Sequence, residues 1–147
     1  MTLVKVTGKG AEGWKQGHPW IYRSDVAEEP DKKPGIVTVT DRKGKFLGKA
    51  LYSPSSEIRV RLLTRADEPV DATWWAKRIG DAAERRRNIT ASAWRAVHAE
   101  GDGLPSLIVD KYGPYIVAQL LSAGLETARA DVVAAIREVF GPEGILL

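Results

Sequence analysis

The side chains best equipped for chemistry lie in one short run, Gly17-His18-Pro19-Trp20-Ile21-Tyr22-Arg23. It gathers an imidazole, two aromatic rings and a guanidinium between backbone positions that Gly17 and Pro19 constrain. Rings offer stacking faces, a guanidinium reads phosphates and base edges in a bidentate fashion, and an imidazole titrates near neutral pH. A nucleic-acid surface uses this set of groups. Each also has a plainer role. His18 can fix the turn by bonding to backbone, and Trp20 can serve as core, leaving Tyr22 and Arg23 to reach solvent.

Two further constellations imitate reactive sites. Gly8-Lys9-Gly10-Ala11-Glu12-Gly13 has the G-x-G-x-x-G spacing of a dinucleotide loop. That motif needs a long following helix, and Gly17 with Pro19 stops any helix within about two turns. The expectation is therefore a Gly-rich loop leading into a short helix over residues 11–16, flanked by Lys9 and Lys15. Glu100, Asp102 and Asp110 resemble paired carboxylates or a magnesium site. They sit in the turn-rich Glu100-Gly101-Asp102-Gly103-Leu104-Pro105 and just beyond it, where bonds to backbone amides account for such residues without chemistry. Arg85-Arg86-Arg87 can grip phosphate, or can be a solvated helix end favoured by the C-terminal dipole.

Composition narrows the classes. The chain of 147 residues has no cysteine, which removes disulfides, thiolate catalysis and Cys-based zinc sites; His18 and His98 alone make a poor metal set. No catalytic, cofactor-binding or metal-ligating residue is assigned to it. It lacks an apolar run of about 18 residues and a secretion signal, so a cytoplasmic location without a membrane partner is expected. Its net charge of +3 is unevenly spread: residues 1–99 carry 19 Lys or Arg against 12 Asp or Glu, and residues 100–147 carry 3 against 7. A basic front suggests a polyanionic partner there.

The elements that must position these groups follow from pattern. Strands are expected at 3–6, 20–26, 36–40, 45–52 and 58–63, with a hairpin through Asp41-Arg42-Lys43-Gly44. Alternation in the last puts Ile58, Val60 and Leu62 on one face and Arg59, Arg61, Leu63 and Arg65 on the other. Five strands in about 70 residues with one short helix argue for a small β-barrel. Near Asp67-Glu68-Pro69-Val70-Asp71 the period becomes helical, placing a boundary between domains 1–70 and 71–147. Asp71 caps a helix with Trp75, Ile79, Ala82 and Arg86 on one face and an Asp81–Arg85 pair on another. A strand at 94–98, a hairpin of 106–112 with 115–121, a helix over 126–140 and an apolar strand at 144–147 complete the chain. In that last helix Arg129, Val132, Val133, Ile136 and Phe140 share a face. An apolar strand as the final element suggests an N-terminal fragment of a longer protein.

Lys9-Gly10, Gly17-His18-Pro19-Trp20-Ile21, Pro34-Gly35, Phe46-Leu47-Gly48-Lys49-Ala50 and Ile58-Arg59-Val60-Arg61 together resemble a PUA domain, an RNA-binding pseudo-barrel. Continuing through Glu100 to Pro105, Ile108-Val109-Asp110-Lys111-Tyr112-Gly113 and Gln119-Leu120-Leu121-Ser122-Ala123-Gly124, the chain resembles the N-terminal half of class I 23S rRNA cytosine-5 methyltransferases. The resemblance implies a mixed α and β fold: a PUA-like pseudo-barrel, then a small, truncated α/β domain of helix, β-hairpin, helix and strand. It implies a missing third domain that binds S-adenosyl-L-methionine and carries the catalytic cysteine. For this chain it implies RNA binding and substrate positioning, with 23S rRNA as partner and Lys9, Lys15, His18, Tyr22, Arg23, Arg59 and Arg61 as RNA-contact candidates. Ser106 departs from the family, which usually has Gly there. A free-standing RNA-binding or regulatory protein, or a protein-interaction module using its last strand, are the alternative readings.

Overall fold

The computed structural model describes residues 2–147; Met1 lies outside them. The chain divides into two compact units, one ending at Glu68 and the other beginning at Pro69.

The first unit is a mixed sheet of six strands, β1 (Leu3–Val6), β2 (Trp20–Tyr22), β3 (Val26–Glu28), β4 (Gly35–Thr40), β5 (Phe46–Tyr52) and β6 (Ile58–Thr64), in the order β2-β6-β5-β4-β1-β3. The two edge strands, β2 and β3, are joined by only the 3-10 turn Arg23–Asp25. One short connection therefore holds the two edges near each other, and the sheet curls into an almost closed barrel. The single strand expected over 20–26 is thus two strands with a turn between them.

Helix α1 (Gly8–Lys15) starts three residues before the expected position, because Thr7 caps it: the Gly10 amide donates to Thr7 Oγ1 at 3.1 Å. The three spaced glycines lie inside α1 and form no loop. Gly10 packs on Asp25, whose Cβ would stand 3.1 Å from a side chain added there. The helix points Trp14 into the barrel, where it is 1% exposed among Val4, Val6, Ile21, Val37, Val39, Leu47 and Val60. Its indole nitrogen donates to the Leu47 carbonyl at 3.1 Å. Between the pairs Val39–Gly48 and Thr40–Phe46 the β4–β5 ladder shifts register, so Leu47 has no opposite residue and its carbonyl is open to this bond. The hairpin turn is tied by Asp41, whose Oδ1 accepts from the Lys43 and Lys45 amides at 2.9 Å each, with Gly44 at φ +87°.

Arg59 and Val60 are both buried, and Arg61 and Leu62 are both half-buried, so the expected alternation along β6 does not hold. The outer side of the strand at Arg59 is covered by Glu29, 2.9 Å from Arg59 Nε, and by Pro54, whose carbonyl accepts from the same guanidinium.

The second unit has a four-stranded sheet in the order β10-β9-β8-β7, from β7 (Ala93–His98), β8 (Leu107–Tyr112), β9 (Tyr115–Leu120) and β10 (Gly144–Leu146). The first three form an antiparallel meander, and β10 joins β9 in parallel. Helix α2 (Ala72–Glu84) is capped by Asp71, which accepts from the Trp74 amide at 2.9 Å, and buries Trp75, Ile79 and Ala82. The helix expected over 126–140 is two pieces, α3 (Ala123–Glu126), capped by Ser122, and α4 (Arg129–Phe140). Val132, Ala135 and Ile136 form its buried face, while Arg129 turns outward to Glu126 at 2.8 Å.

Arg85 is exposed at the end of α2 and Arg86 donates to Ala82 O at 3.0 Å, but their carboxylate partner is not Asp81. Both reach the buried Asp102: Arg85 at 2.6 Å, Arg86 through two bonds at 3.0 and 2.8 Å, and the His98 amide adds a third donor at 2.6 Å. Asp81 pairs with Lys77 instead, and Arg87 with Glu84. Burial pushes the Asp102 carboxyl up, but its bonds to Arg86, Arg85 and the His98 amide outweigh burial and hold it down to about 2. The clamp fixes a loop in which Ala99, Gly103 and Ser106 all have positive φ, 44°, 67° and 60°. Ser106 adopts a left-handed conformation costly for a side chain, and its hydroxyl bonds Pro105 O and Ser122 Oγ, both at 2.7 Å.

Two outcomes follow for stability. A Cβ at Gly48 would stand 2.6 Å from Thr64 O and 3.3 Å from the Trp14 ring, so Gly48→Ala is expected to cost about 2 kcal/mol or more in urea unfolding. An unchanged midpoint would show that this approach yields easily. Asp102→Asn strands two guanidinium partners and is expected to cost about 3 kcal/mol near neutral pH. The folded pKa lies below the ordinary carboxylate value, so Asp102's contribution is complete above about pH 4 and lost as pH falls toward 2. The gap between wild type and Asp102→Asn should shrink by about 2 kcal/mol over that window; a pH-independent gap would refute the clamp.

Candidate nucleic-acid interface

A cleft of about 470 Å³ opens between α1 and β2. One wall is the helix face carrying Lys9, Glu12, Gly13 and Gln16, spaced three and four apart so that they fall on one side. The other wall is His18, Trp20 and Tyr22, which alternate along the extended chain and so project to the same side. Their rings stand 6.2 to 6.4 Å apart, with Trp20 and Tyr22 perpendicular and His18 tilted against both. Asp25 closes one end.

The segment leading into β2 is held at several points. Gly17, at φ +100°, turns the chain after α1, and its amide donates to Trp14 O at 3.1 Å while the His18 amide donates to Gly13 O at 3.0 Å. Pro19 O accepts from the Leu62 amide at 2.8 Å, locking this segment to β6. His18 Nδ1 lies 3.2 Å from Trp20 O and 3.3 Å from Trp20 N. It donates to the carbonyl when protonated there and accepts from the amide when not, so the ring is held against the backbone in either tautomer. Opposite Trp20 in register is Arg61, its guanidinium 5.5 Å from the indole centroid. This arrangement supports Trp20 by a cation–π contact from the neighbouring strand.

The residues expected to meet RNA are distributed unevenly around this cleft. Lys9, His18 and Tyr22 line it, and Arg61 stands at Trp20. Lys15 falls on another side of α1. Arg23 lies outside the lining, its amide bonded to Glu57 O at 2.8 Å and its Nε 3.7 Å from the Glu57 carboxylate. Arg59 is 7% exposed and engaged with Glu29 and Pro54, which makes it a brace inside the barrel wall rather than a surface reader. Trp20, read from sequence as core, is half-buried and forms the middle of the aromatic wall. The period-two spacing of His18, Trp20 and Tyr22 was the available signal for that grouping. Glu12, Gln16 and Asp25 had no such signal, because only the fold brings α1 and the 3-10 turn to the same opening.

The cleft is suited to a flat, polarisable group between rings, with a cation at Lys9 and hydrogen-bonding groups at Gln16 and His18. It is unsuited to a pyrophosphate. The Gly10 amide is taken by Thr7, and the Asp25 carboxylate, which accepts from Thr7 Oγ1 at 3.3 Å, stands at the start of α1 where a phosphate would have to sit. In the second unit Glu100 accepts from the Ser106 amide at 3.0 Å, and Asp110 pairs with Arg95 at 2.8 and 3.2 Å. Asp102 is the centre of an ion-pair clamp rather than a simple turn residue. Among the described residues no group of three or more His, Asp or Glu could hold a metal ion, and no helix is long and apolar enough to cross a membrane.

Residues 4–65 match the family model of the PUA-like domain. The chain is 36% identical, over 95% of its length, to a ribosomal RNA large subunit methyltransferase I from Erwinia tasmaniensis, and 37% identical over 86% to one from Vibrio cholerae. It spans about a third of the length of these curated relatives, 37% and 33%. Among solved structures, a candidate SAM-dependent methyltransferase from Streptococcus mutans superposes with a TM-score of 0.84 at 20% identity, over 97% of this chain and 39% of that one. That likeness extends the shared fold across both units.

Proposed function

We propose, for a chain whose residues 4–65 form a PUA-like domain, that it is the RNA-binding, substrate-positioning portion of an S-adenosylmethionine-dependent rRNA methyltransferase, with the α1–β2 cleft as its RNA site. The observation that carries this reading is the aromatic wall of His18, Trp20 and Tyr22 facing Lys9 across an open cleft. Stacking on such rings is sequence-tolerant, and a lysine supplies the phosphate contact that sets register. Lys9, His18 and Tyr22 touch RNA directly in this reading, Arg61 positions Trp20, and Lys15 and Arg23 extend the contact beyond the cleft.

The relatives are ribosomal RNA methyltransferases, which suggests the class of reaction, and 23S rRNA and cytosine C5 are the finer substrate we assign. The Gly8–Gly13 run is helical, packed on Asp25 and capped by Thr7, so it offers a methyl donor no open loop. We therefore assign S-adenosylmethionine and methyl transfer to the part of the relatives' length that this chain does not span. A cytoplasmic location goes with this reading.

Fluorescence anisotropy with a labelled rRNA stem-loop carrying an unpaired loop tests the reading. Wild-type affinity is expected to fall roughly tenfold or more between 50 and 200 mM salt. Tyr22→Ala should weaken binding by roughly fivefold or more at constant salt, from the loss of one stacking face. Because Tyr22 is 41% exposed, its melting temperature should stay within about 2 °C of wild type. Binding that ignores both salt and Tyr22 would end the proposal.

A further inference from the structure

The first unit has a cluster of exposed bases at the β4–β5 turn. Up to Glu68 the sequence has 13 Lys and Arg against nine Asp and Glu. Five of those bases, Lys15, Arg42, Lys43, Lys45 and Arg65, lie around the β4–β5 turn and the C-terminal end of α1; the acid of the turn is Asp41, while Asp67 beyond Arg65 pairs with Lys49 and Glu68 accepts from Thr64 Oγ1. The turn itself, residues 41–45, carries three bases against one acid. A surface kept charged only for solubility interleaves the two signs.

Several contacts bring the five together. Arg65 donates to Trp14 O at 2.7 Å, beside Lys15 at the end of the helix. The Asp41 carboxyl is held below its ordinary value chiefly by the Lys45 amide, with the charges of Lys15 and Lys45 also acting on it. Asp41 Oδ1 accepts from the two turn amides, and its single negative charge offsets only one of the five cations. Arg42, Lys43 and Lys45 are exposed and form no ion pair among the described residues. Lys15 stands about 100° around α1 from the cleft-lining positions, so the patch and the cleft flank the same helix, about 12 Å long.

We infer that the Arg42–Lys45 turn, with Lys15 and Arg65, is a second RNA-contact site that grips the phosphodiester backbone adjoining the nucleotides seated in the cleft. This rests on the cleft being an RNA site. The cleft is of mixed charge, with Glu12 and Asp25 beside Lys9, and supplies stacking; the patch supplies the phosphate neutralisation that dominates affinity. A short oligonucleotide occupies the first alone, and a longer RNA bridges both across α1.

The test is the triple variant Arg42→Gln, Lys43→Gln, Lys45→Gln in the full chain, which keeps the turn amides that bind Asp41. With the stem-loop RNA, affinity at low salt is expected to fall roughly tenfold or more, and the slope of log affinity against log salt should drop by about 2. An oligonucleotide of about 4 nucleotides should bind the variant and wild type alike. Lys32→Gln with Lys33→Gln, an equal kind of charge loss on the exposed loop before β4, should cost less than about twofold. An unchanged melting temperature confirms that the turn is intact. The inference fails if the triple variant keeps wild-type affinity and slope, if the Lys32 and Lys33 variant costs as much, or if the short oligonucleotide is lost equally. It also fails if the triple variant loses only co-sedimentation with phosphatidylglycerol vesicles, which would make the patch a membrane contact. If Tyr22→Ala weakens binding while the triple variant does not, only this second site is refuted. If wild type binds neither RNA, the reading of the cleft falls and takes the second site with it.

Discussion

The first unit depends on the seating of Trp14. An eight-residue helix is too short to persist alone in water, so α1 exists because its indole fills the barrel and because its own ends are tied down. The bond from the indole to Leu47 O needs the irregularity in the β4–β5 ladder, which frees that carbonyl. Gly48 then lets Thr64 and the ring approach where a side chain would not fit. Once Trp14 is seated, the rest of α1 is placed by helical geometry. Lys9, Glu12, Gly13 and Gln16 face β2, and Lys15 faces the charged turn. A single buried side chain thus orients both surfaces to which RNA contact is assigned.

The second unit is organised by a charge instead. Asp102 is buried, and three donors from Arg85, Arg86 and His98 converge on it. Taking a carboxylate out of water is expensive, and only this many charge-assisted bonds hold it ionised at low pH. The return is geometric. The clamp joins the end of α2 to a loop with three left-handed residues between β7 and β8, a conformation that would not persist without such bracing. Ser106 shows the same compromise at a smaller scale, since a glycine would relax the backbone and the serine hydroxyl instead closes a bond to Ser122.

Under the proposed reading, the cleft and the charged turn divide the work of RNA recognition. Stacking faces are short-range and insensitive to salt, and they need rigid support, which β2 receives from Pro19, Leu62 and Arg61. Charges act over longer distances and tolerate mobility, and they are placed on a tight turn and a helix end. Arg59 illustrates why residue type alone does not assign such a role. It has the chemistry of a phosphate reader, yet its position behind Glu29 and Pro54 turns that chemistry inward.

Local rules were enough to read much of the architecture. The β4–β5 and β8–β9 hairpins, α2 with its Asp71 cap and the barrel-like first half follow from alternation, turn residues and capping, all of which act within a few neighbouring positions. The Gly17–Arg23 run was also legible as a cluster of useful groups. Three kinds of feature were not. Helix starts and breaks depended on which of several polar residues became the cap, as Thr7 and Ser122 did. The path after β2 turned because the barrel had to close. Pairings such as Arg85 and Arg86 with Asp102, or Arg59 with Glu29, join positions distant in sequence, where many partners satisfy the same chemistry. The sequence by itself therefore determined the inventory of reactive groups and the local elements carrying them, since those depend on short-range sterics and hydrogen bonding. Only the tertiary structure decided which cations remained exposed, which were spent inside, and that Trp20 belongs to a wall rather than to a core, because those outcomes depend on what packs beside each side chain once the sheet has closed.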